Sequence, residues 1–222
     1  MKDKSLNRWG MIIDLTKCIG CESCVITCKN FYKIPKNKWR RIIDCGDYPF
    51  SKRQRLLIHQ TCMHCYNPSC IQVCPTKATY QRKDGIVAID YNKCIACGSC
   101  IVACPYNSRH ILNEENLLSG DIINIEEIKG RVKDEKIKVC SKCNFCFHRI
   151  DSGAKKGLTP GKDEDATPLC VNACSSGALF FGDFNTIKTD LRDREKNKCK
   201  LFDSRTITTE TSIFVIYPEW WS

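Results

Sequence analysis

The sequence predicts an α+β protein made of two similar units, one nested inside the other, with short strands, short helices and long loops. Three observations support this prediction. The chain has 19 cysteines among 222 residues, a density that indicates a dedicated cysteine framework. Four quartets contain sixteen of these cysteines, and the quartets form two internal repeats. Short apolar runs precede two of the quartets, and the segments between quartets are polar or weakly helical.

The first and third quartets are copies of one another. Residues 13–24 align without a gap on residues 89–100, and the two copies close with a fourth cysteine at Cys28 and Cys104. Both have the spacing Cys-x2-Cys-x2-Cys-x3-Cys, which places four thiols within eleven residues. Such a repeat predicts two structurally equivalent loops.

The second and fourth quartets form a looser pair. Each consists of Cys-x-x-Cys, then Pro-x-Cys-x-x-x-Cys, and then an alanine. The second quartet is Cys62, Cys65, Cys70 and Cys74, and the fourth is Cys143, Cys146, Cys170 and Cys174. An insertion separates the two halves of the fourth quartet, so this copy is expected to have a longer loop.

Local patterns predict only short elements around the quartets. Two apolar runs that end just before an aspartate, Met11 to Ile13 and Ile86 to Ile89, predict strands leading into the first and third quartets. A third strand is predicted within residues 206–217, which are rich in Thr, Ile, Phe and Val. A helix is predicted around residues 122–128. Residues 152–167 are polar and contain Gly and Pro, so we expect a surface loop there.

The cysteine spacing indicates four [4Fe-4S] clusters. Cys-x2-Cys-x2-Cys-x3-Cys is the run found in bacterial ferredoxins, where the fourth cysteine binds the other cluster of a pair. Zinc is the main inorganic alternative, but structural zinc sites use two Cys-x2-Cys pairs with a longer spacer. A disulfide scaffold is disfavoured by the odd cysteine count and by the length of the chain. We therefore predict that the sixteen motif cysteines bind iron.

Crossed ligation predicts how the quartets pair, because each cluster takes its fourth ligand from a sister motif. The middle two quartets are separated by a short spacer and form an inner ferredoxin-like unit, residues 56–112. The outer two form a discontinuous unit, residues 1–55 and 113–222. The predicted ligands are Cys18, Cys21, Cys24 and Cys174 for cluster 1; Cys62, Cys65, Cys70 and Cys104 for cluster 2; Cys94, Cys97, Cys100 and Cys74 for cluster 3; and Cys143, Cys146, Cys170 and Cys28 for cluster 4.

Three cysteines remain outside the quartets. Cys140 is an alternative ligand in place of Cys143 or Cys146, whereas Cys45 and Cys199 are interpreted as free thiols.

Two other groups of residues have open interpretations. His64, between two cysteines of the second quartet, either donates a hydrogen bond to a cluster sulfur or simply packs in its loop. Trp39-Arg40-Arg41 marks either an interface or a surface turn anchored by the tryptophan.

Charge and hydropathy narrow the classes of function. The formal net charge is +10, but the Lys and Arg residues are dispersed, so a nucleic-acid site is not predicted. Four oxidised clusters with their thiolates would contribute about −8 and largely balance this charge.

The apolar run Ile213 to Tyr217 is too short for a membrane span. Residues 1–10 lack the apolar core of a secretory signal, so no cleaved signal is expected.

No motif for bond-making chemistry is present. The chain lacks G-x-S-x-G, a P-loop and G-x-G-x-x-G. We therefore expect an electron-transfer protein that is not an enzyme by itself.

The sequence resembles the four-cluster iron–sulfur β subunits of molybdopterin oxidoreductases related to dimethyl sulfoxide reductase, including polysulfide, thiosulfate, tetrathionate and arsenate reductases. The motifs that carry the resemblance are Met11-Ile12-Ile13-Asp14 with Lys17-Cys18-x-Gly20-Cys21, Cys70-x-x-x-Cys74-Pro75-Thr76-Lys77-Ala78, Cys104-Pro105-Tyr106, Lys142-Cys143-x-Phe145-Cys146-x-His148-Arg149, and Gly182-Asp183. Ser175, where the family usually has proline, and the insertion at residues 155–167 depart from the pattern.

The resemblance implies a position in a larger complex. A large catalytic subunit would hold a bis-molybdopterin guanine dinucleotide centre with molybdenum or tungsten, and a quinol-interacting membrane subunit would often lie at the other end. This chain would relay electrons between them. It would associate with the membrane through these partners, on the extracytoplasmic side by export together with the catalytic subunit, or else in the cytoplasm. A polyferredoxin, or the electron-transfer subunit of a hydrogenase, formate dehydrogenase or tungsten aldehyde oxidoreductase, is the alternative.

Overall fold

The computed structural model describes residues 8–35, 38–47, 55–111, 138–195 and 210–218. Within them the expected α+β content is confirmed, since short strands and short helices are mixed along the chain. The strands are β1 (Trp9–Asp14), β2 (Arg40–Asp47), β3 (Arg55–Thr61), β4 (Thr79–Gln81), β5 (Val87–Ile89), β6 (His110–Ile111), β7 (Cys140–Ser141), β8 (Leu179–Asp183) and β9 (Ile213–Ile216). The helices are α1 (Ser23–Tyr32), α2 (Ser69–Gln72), α3 (Ser99–Val102), α4 (Phe147–Lys155), α5 (Leu169–Asn172) and α6 (Phe184–Glu195). The helix predicted around residues 122–128, and Cys199, lie outside the described residues.

A three-stranded sheet joins distant parts of the chain. β1 is its central strand, with β8 antiparallel on one side and β9 parallel on the other. Ile13 lies opposite Leu179 in β8 and Val215 in β9. Because side chains alternate along a strand, Ile13 faces the main core while Ile12 packs with Ile187 of α6 on the opposite face. Both faces of β1 are therefore buried.

Three predicted strands are confirmed. β1 includes the run Met11 to Ile13, β5 includes most of the run Ile86 to Ile89, and β9 lies within residues 206–217. β5 forms an antiparallel hairpin with β4, and Ile86 at its start is fully buried. Each of β1 and β5 leads directly into a cysteine loop.

Two further strand pairs lie beside the cysteine loops. β2 and β3 form an antiparallel hairpin in which Arg40 lies opposite Thr61. β6 and β7 form a short antiparallel pair in which Ile111 lies opposite Cys140. Across the described ranges, no helix has the length and apolar character needed to cross a membrane.

The segment 152–167 is more ordered than the expected surface loop. α4 continues to Lys155, and a turn of 3-10 helix covers Glu164–Ala166. Ala166 is fully buried and lies against Gly153, where a Cβ would overlap the Ala166 side chain. The prediction of a surface loop holds for most of residues 154–165, which are exposed. It fails at the two ends, because Gly153 in α4 lets the returning chain pack closely at Ala166, which the polar composition did not reveal.

Candidate cluster-binding sites

The loops of the first and third quartets share left-handed backbone geometry at two aligned positions. Gly20 and Ala96, which align in the repeat, both have left-handed backbones, with φ of 70° and 55°. Glu22 and Gly98, which also align, have φ of 56° and 77° and immediately precede α1 and α3. Left-handed geometry is unusual for Ala and Glu, so the loop path is imposed by the fold and not by glycine alone.

Four cysteines from two quartets line one cavity. Cys62, Cys65 and Cys70 come from the second quartet and Cys104 from the third. Arg109 lines the same cavity. This is the combination of residues expected for cluster 2.

A second cavity is lined by four buried cysteines. Cys143, Cys146 and Cys170 come from the fourth quartet and Cys28 from the first. Cys140 is not among the lining residues. The cavity therefore brings together the set expected for cluster 4, with Cys143 and Cys146 in the positions for which Cys140 was the alternative.

The cysteines expected for cluster 1 also lie near one another. Burial raises the pKa of Cys18, and the nearby Cys174 and Cys21 raise it further. Burial likewise raises the pKa of Cys24 to about 11, with contributions from Cys170 and Cys174. Cys174 thus lies beside the first quartet, far from it in sequence but adjacent through the pairing of β8 with β1.

The set expected for cluster 3 is arranged around α2 and α3. Cys94 and Cys100 both contact Cys140, while Cys97 is exposed. Cys74 follows α2, which packs against α3. Its sulfur accepts a hydrogen bond from the backbone N–H of Thr79 over 3.4 Å.

Two arginines are buried among these cysteines. Arg40 is 3% exposed, and Arg109 is 1% exposed. Burial alone would lower the pKa of Arg40, but the surrounding thiols, Cys170 and Cys24 foremost, raise it above the usual value. Arg109 donates to Cys70 Sγ over 3.0 Å. These cations supply local positive charge where four thiolates and an anionic cluster would otherwise be uncompensated.

Of the two interpretations of Trp39-Arg40-Arg41, the surface turn was wrong, and the interface stays a prediction. Trp39 is 1% exposed, and its indole N–H donates to Ser141 Oγ over 2.6 Å. Both Trp39 and Arg40 line the cavity of the fourth quartet. The segment is an inner wall of a site and not a surface turn, because the β2–β3 hairpin turns it inward.

His59 was not singled out by the sequence, yet it touches a motif cysteine. Its Nε2 lies 3.1 Å from Cys18 Sγ, and its Nδ1 lies 3.3 Å from the Arg40 guanidinium. No sequence pattern pointed to His59, because it lies within β3 and outside every quartet. It reaches Cys18 only through the tertiary fold.

His64 is fully buried and stacks on Phe145 with ring centroids 3.8 Å apart. Its Nδ1 accepts the backbone N–H of Val87 over 3.1 Å, so its proton is on Nε2. Burial lowers the pKa of His64 well below its usual range, while a hydrogen bond with the backbone of Cys143 acts in the opposite direction. His64 therefore packs within its loop, and a hydrogen bond to a cluster sulfur stays a prediction.

The donor sets suit iron–sulfur clusters. Each cavity gathers four thiols with a buried arginine, and every cysteine that the structure describes is a free thiol. Thiolates are the ligands that 4Fe-4S clusters use. In the described part of the chain, no three His, Cys, Asp or Glu side chains are arranged around the position of a single metal ion.

Comparison with family models agrees with this chemistry. Residues 54–120 match a model described as a 4Fe-4S dicluster domain, and residues 15–32 match a 4Fe-4S binding domain. The first match covers the second and third quartets together, and the second covers the first quartet.

Several curated proteins are similar over most of this chain. A dimethyl sulfoxide reductase iron-sulfur subunit of Halobacterium salinarum is 36% identical over 194 residues, covering 81% of this chain and 68% of the relative. A tetrathionate reductase subunit of Salmonella typhimurium is 33% identical, covering 80% of this chain and 58% of the relative. A polysulfide reductase polypeptide of Wolinella succinogenes is 30% identical over 217 residues, covering 94% of each. With its cysteine cavities and its matches to 4Fe-4S domains, the chain belongs to the family of iron–sulfur subunits of dimethyl sulfoxide reductase-type oxidoreductases.

Proposed function

We propose that this chain relays single electrons through four 4Fe-4S clusters between a catalytic subunit and a second redox partner. The observation that carries the proposal is that each of two cavities is lined by three cysteines of one quartet and one cysteine of another. This crossed arrangement is that of ferredoxin-type clusters. When bound, a 4Fe-4S cluster takes up and releases one electron at a time.

The sixteen ligands follow the crossed sets predicted from the sequence. The cavities support the sets of clusters 2 and 4, and the electrostatic contact between Cys18 and Cys174 supports that of cluster 1. For cluster 3 we assign Cys94, Cys97, Cys100 and Cys74 by the repeat. One ferredoxin-like unit, residues 56–112, would thus be nested within the other.

Contacts between the sets support a linear order of clusters 1, 4, 2 and 3. Burial raises the pKa of Cys24, in the set of cluster 1, and the nearby Cys170, in the set of cluster 4, raises it further. Burial raises the pKa of Cys143 of cluster 4, and among its neighbours Cys62 of cluster 2 raises it further. Arg109 contacts Cys70 of cluster 2 and also lies near Cys100 of cluster 3.

Exposure of the ligands fits the same order. Cys21 in the first set and Cys97 in the third are exposed, whereas the four ligands of cluster 4 are buried. Exposed clusters at the two ends could exchange electrons with other proteins, while the inner clusters would be insulated from solvent.

The partners follow from the family. We propose a catalytic subunit with a molybdenum or tungsten bis-molybdopterin guanine dinucleotide centre at one end. At the other end we propose a quinone-linked membrane subunit, in agreement with relatives such as the menaquinone reductase iron-sulfur cluster-binding subunit of Nitratidesulfovibrio vulgaris. The chain would reach the extracytoplasmic face by export with the catalytic subunit.

Metal analysis and electron paramagnetic resonance of the anaerobically purified chain test this proposal. We expect about sixteen irons per chain, four for each cluster, and interacting S = 1/2 signals on reduction. Zinc in place of iron would overturn it. Purification of the intact complex, with identification of the large subunit, distinguishes a molybdopterin partner from the hydrogenase or polyferredoxin alternatives.

A further inference from the structure

Cys140 lies among the ligands proposed for cluster 3, although it is three residues from the fourth quartet. It is 2% exposed. Its backbone N–H donates to Cys94 Sγ over 3.4 Å, and its own sulfur lies 3.4 Å from Cys100 Sγ. A single residue that no motif includes thus contacts two ligands of one set.

The surrounding structure holds Cys140 in this position. In the β6–β7 pair it lies opposite Ile111. The next residue, Ser141, is fully buried and accepts a hydrogen bond from the Trp39 indole over 2.6 Å. The position of Cys140 is therefore set by backbone pairing on one side and by a buried side-chain contact on the other.

Iron binding at Cys100 sets the direction of the hydrogen bond between the two sulfurs, and Arg109 is a second neighbour of the Cys140 thiol. One of its guanidinium nitrogens lies 3.7 Å from Cys140 Sγ and 3.1 Å from Thr79 Oγ1. A guanidinium can only donate, so it occupies the acceptor side of the Cys140 sulfur. When Cys100 binds iron it is a thiolate without a proton, so in the contact between the two sulfurs only Cys140 can donate.

We propose that Cys140 is a positioning residue for cluster 3 that binds no iron, donates its amide to Cys94 and its thiol to Cys100, and thereby raises the reduction potential of that cluster. The inference rests on the proposed function, specifically on the assignment of Cys94 and Cys100 to one cluster. Reduction adds one electron, and the added negative charge spreads onto the ligand sulfurs. Donors to those sulfurs stabilise the reduced form more than the oxidised form, because hydrogen bonds to more negative acceptors are stronger.

The test is a potentiometric titration of the full chain, purified anaerobically and followed by electron paramagnetic resonance. Cys140→Ala removes the thiol donor and keeps the backbone amide, while Cys140→Ser retains a hydroxyl donor. Cys45→Ala is the matched control, since it removes an exposed free thiol. Cys97→Ser identifies the signal of cluster 3 by altering one of its ligands.

We expect Cys140→Ala to keep about sixteen irons and to lower the potential of one cluster only, the one altered in Cys97→Ser. A loss of about tenfold in the reduction equilibrium corresponds to about 59 mV for one electron. Cys140→Ser should restore most of this shift, and Cys45→Ala should leave all four potentials unchanged.

Three results would overturn the inference. Four unchanged potentials in Cys140→Ala, with full iron content, would show that the thiol does not act on the cluster and would leave the proposed function intact. Loss of about four irons in both Cys140 variants would make Cys140 a ligand or a structural requirement and not a donor. Absence of iron from the wild-type chain would remove the proposed function, and with it this inference.

Discussion

Arg40 fixes the tautomer of His59. The guanidinium lies 3.3 Å from Nδ1 of the ring, and because a guanidinium has only donors, Nδ1 must accept. Burial lowers the pKa of His59 to about 3, with Arg40 adding to the effect, so the ring is neutral and carries its one proton on Nε2. Nε2 lies 3.1 Å from Cys18 Sγ. Cys18, a proposed cluster ligand, thus accepts a hydrogen bond from His59 Nε2, and an arginine on the neighbouring strand sets which ring nitrogen donates it.

Replacing His59 with alanine should lower the reduction potential of the cluster bound by Cys18. In the wild-type chain the His59 N–H donor stabilises the reduced state, in which the sulfur is more negative, and alanine removes this donor. A redox titration monitored by electron paramagnetic resonance measures the shift. His110→Ala is the control, since this half-buried histidine has Lys38 and Arg41 as its charged neighbours. Equal potentials in both variants would contradict the role of His59.

Replacing Arg40 with glutamine should weaken cluster retention. Removing one partner of a buried charge pair costs about 3–5 kcal/mol, because the remaining charge is left uncompensated. The visible absorption of the clusters during urea treatment reports the loss. The adjacent Arg41 is half-buried and donates a hydrogen bond to Gln60. Arg41→Gln should therefore lose its iron at nearly the same urea concentration as the wild-type chain. Equal sensitivity of the two variants would rule out a special role for Arg40.

Crossed ligation can be tested within the first quartet. Cys28→Ser should alter the same paramagnetic signal as Cys146→Ser, because both residues line the fourth quartet's cavity. Cys21→Ser should alter a different signal. All three variants exchange sulfur for oxygen, so the chemistry of the change is the same. If Cys28→Ser and Cys21→Ser affect one common signal, the pairing of the quartets is wrong.

Gly161 should tolerate no side chain. Its φ is 88°, and a Cβ there would overlap the carbonyl oxygen of Phe181 in β8. Gly157 also has a positive φ, 73°, but has open space around it. Gly161→Ala should therefore lower the thermal midpoint well below that of Gly157→Ala, which bears only the backbone cost of about 1 kcal/mol. Circular dichroism melting of the two variants gives the comparison, and similar midpoints would refute the close approach.

The iron–sulfur character of the chain was predictable because the cysteine motifs are local patterns. The spacing around Cys18 and Cys94 identifies two loops without any tertiary knowledge, and the left-handed residues of both copies agree. The strand before each loop was also visible as an apolar run ending in aspartate. Three ligands of the first and of the third quartet lie within seven residues, whereas the fourth ligand of each cluster comes from another motif.

The residues around the clusters could not be predicted in the same way. Arg40 and His59 reach their cysteines only after the β2–β3 hairpin forms, and Cys140 reaches Cys100 only after β6 and β7 pair. These contacts join residues that share no sequence pattern. The sequence does not distinguish a buried arginine from an exposed one, and the role of Arg40 depends on its burial.

The position of β1 has a consequence for biosynthesis. β1 leaves the ribosome well before both of its neighbours, β8 and β9. The first quartet likewise has to wait for Cys174 before its proposed set is complete. Residues 56–112 need no such partner, since both of their quartets emerge together. Cluster insertion should therefore begin at residues 56–112 and finish only after β9 has been synthesised, so that the cysteines of the first quartet are enclosed after those of the inner unit.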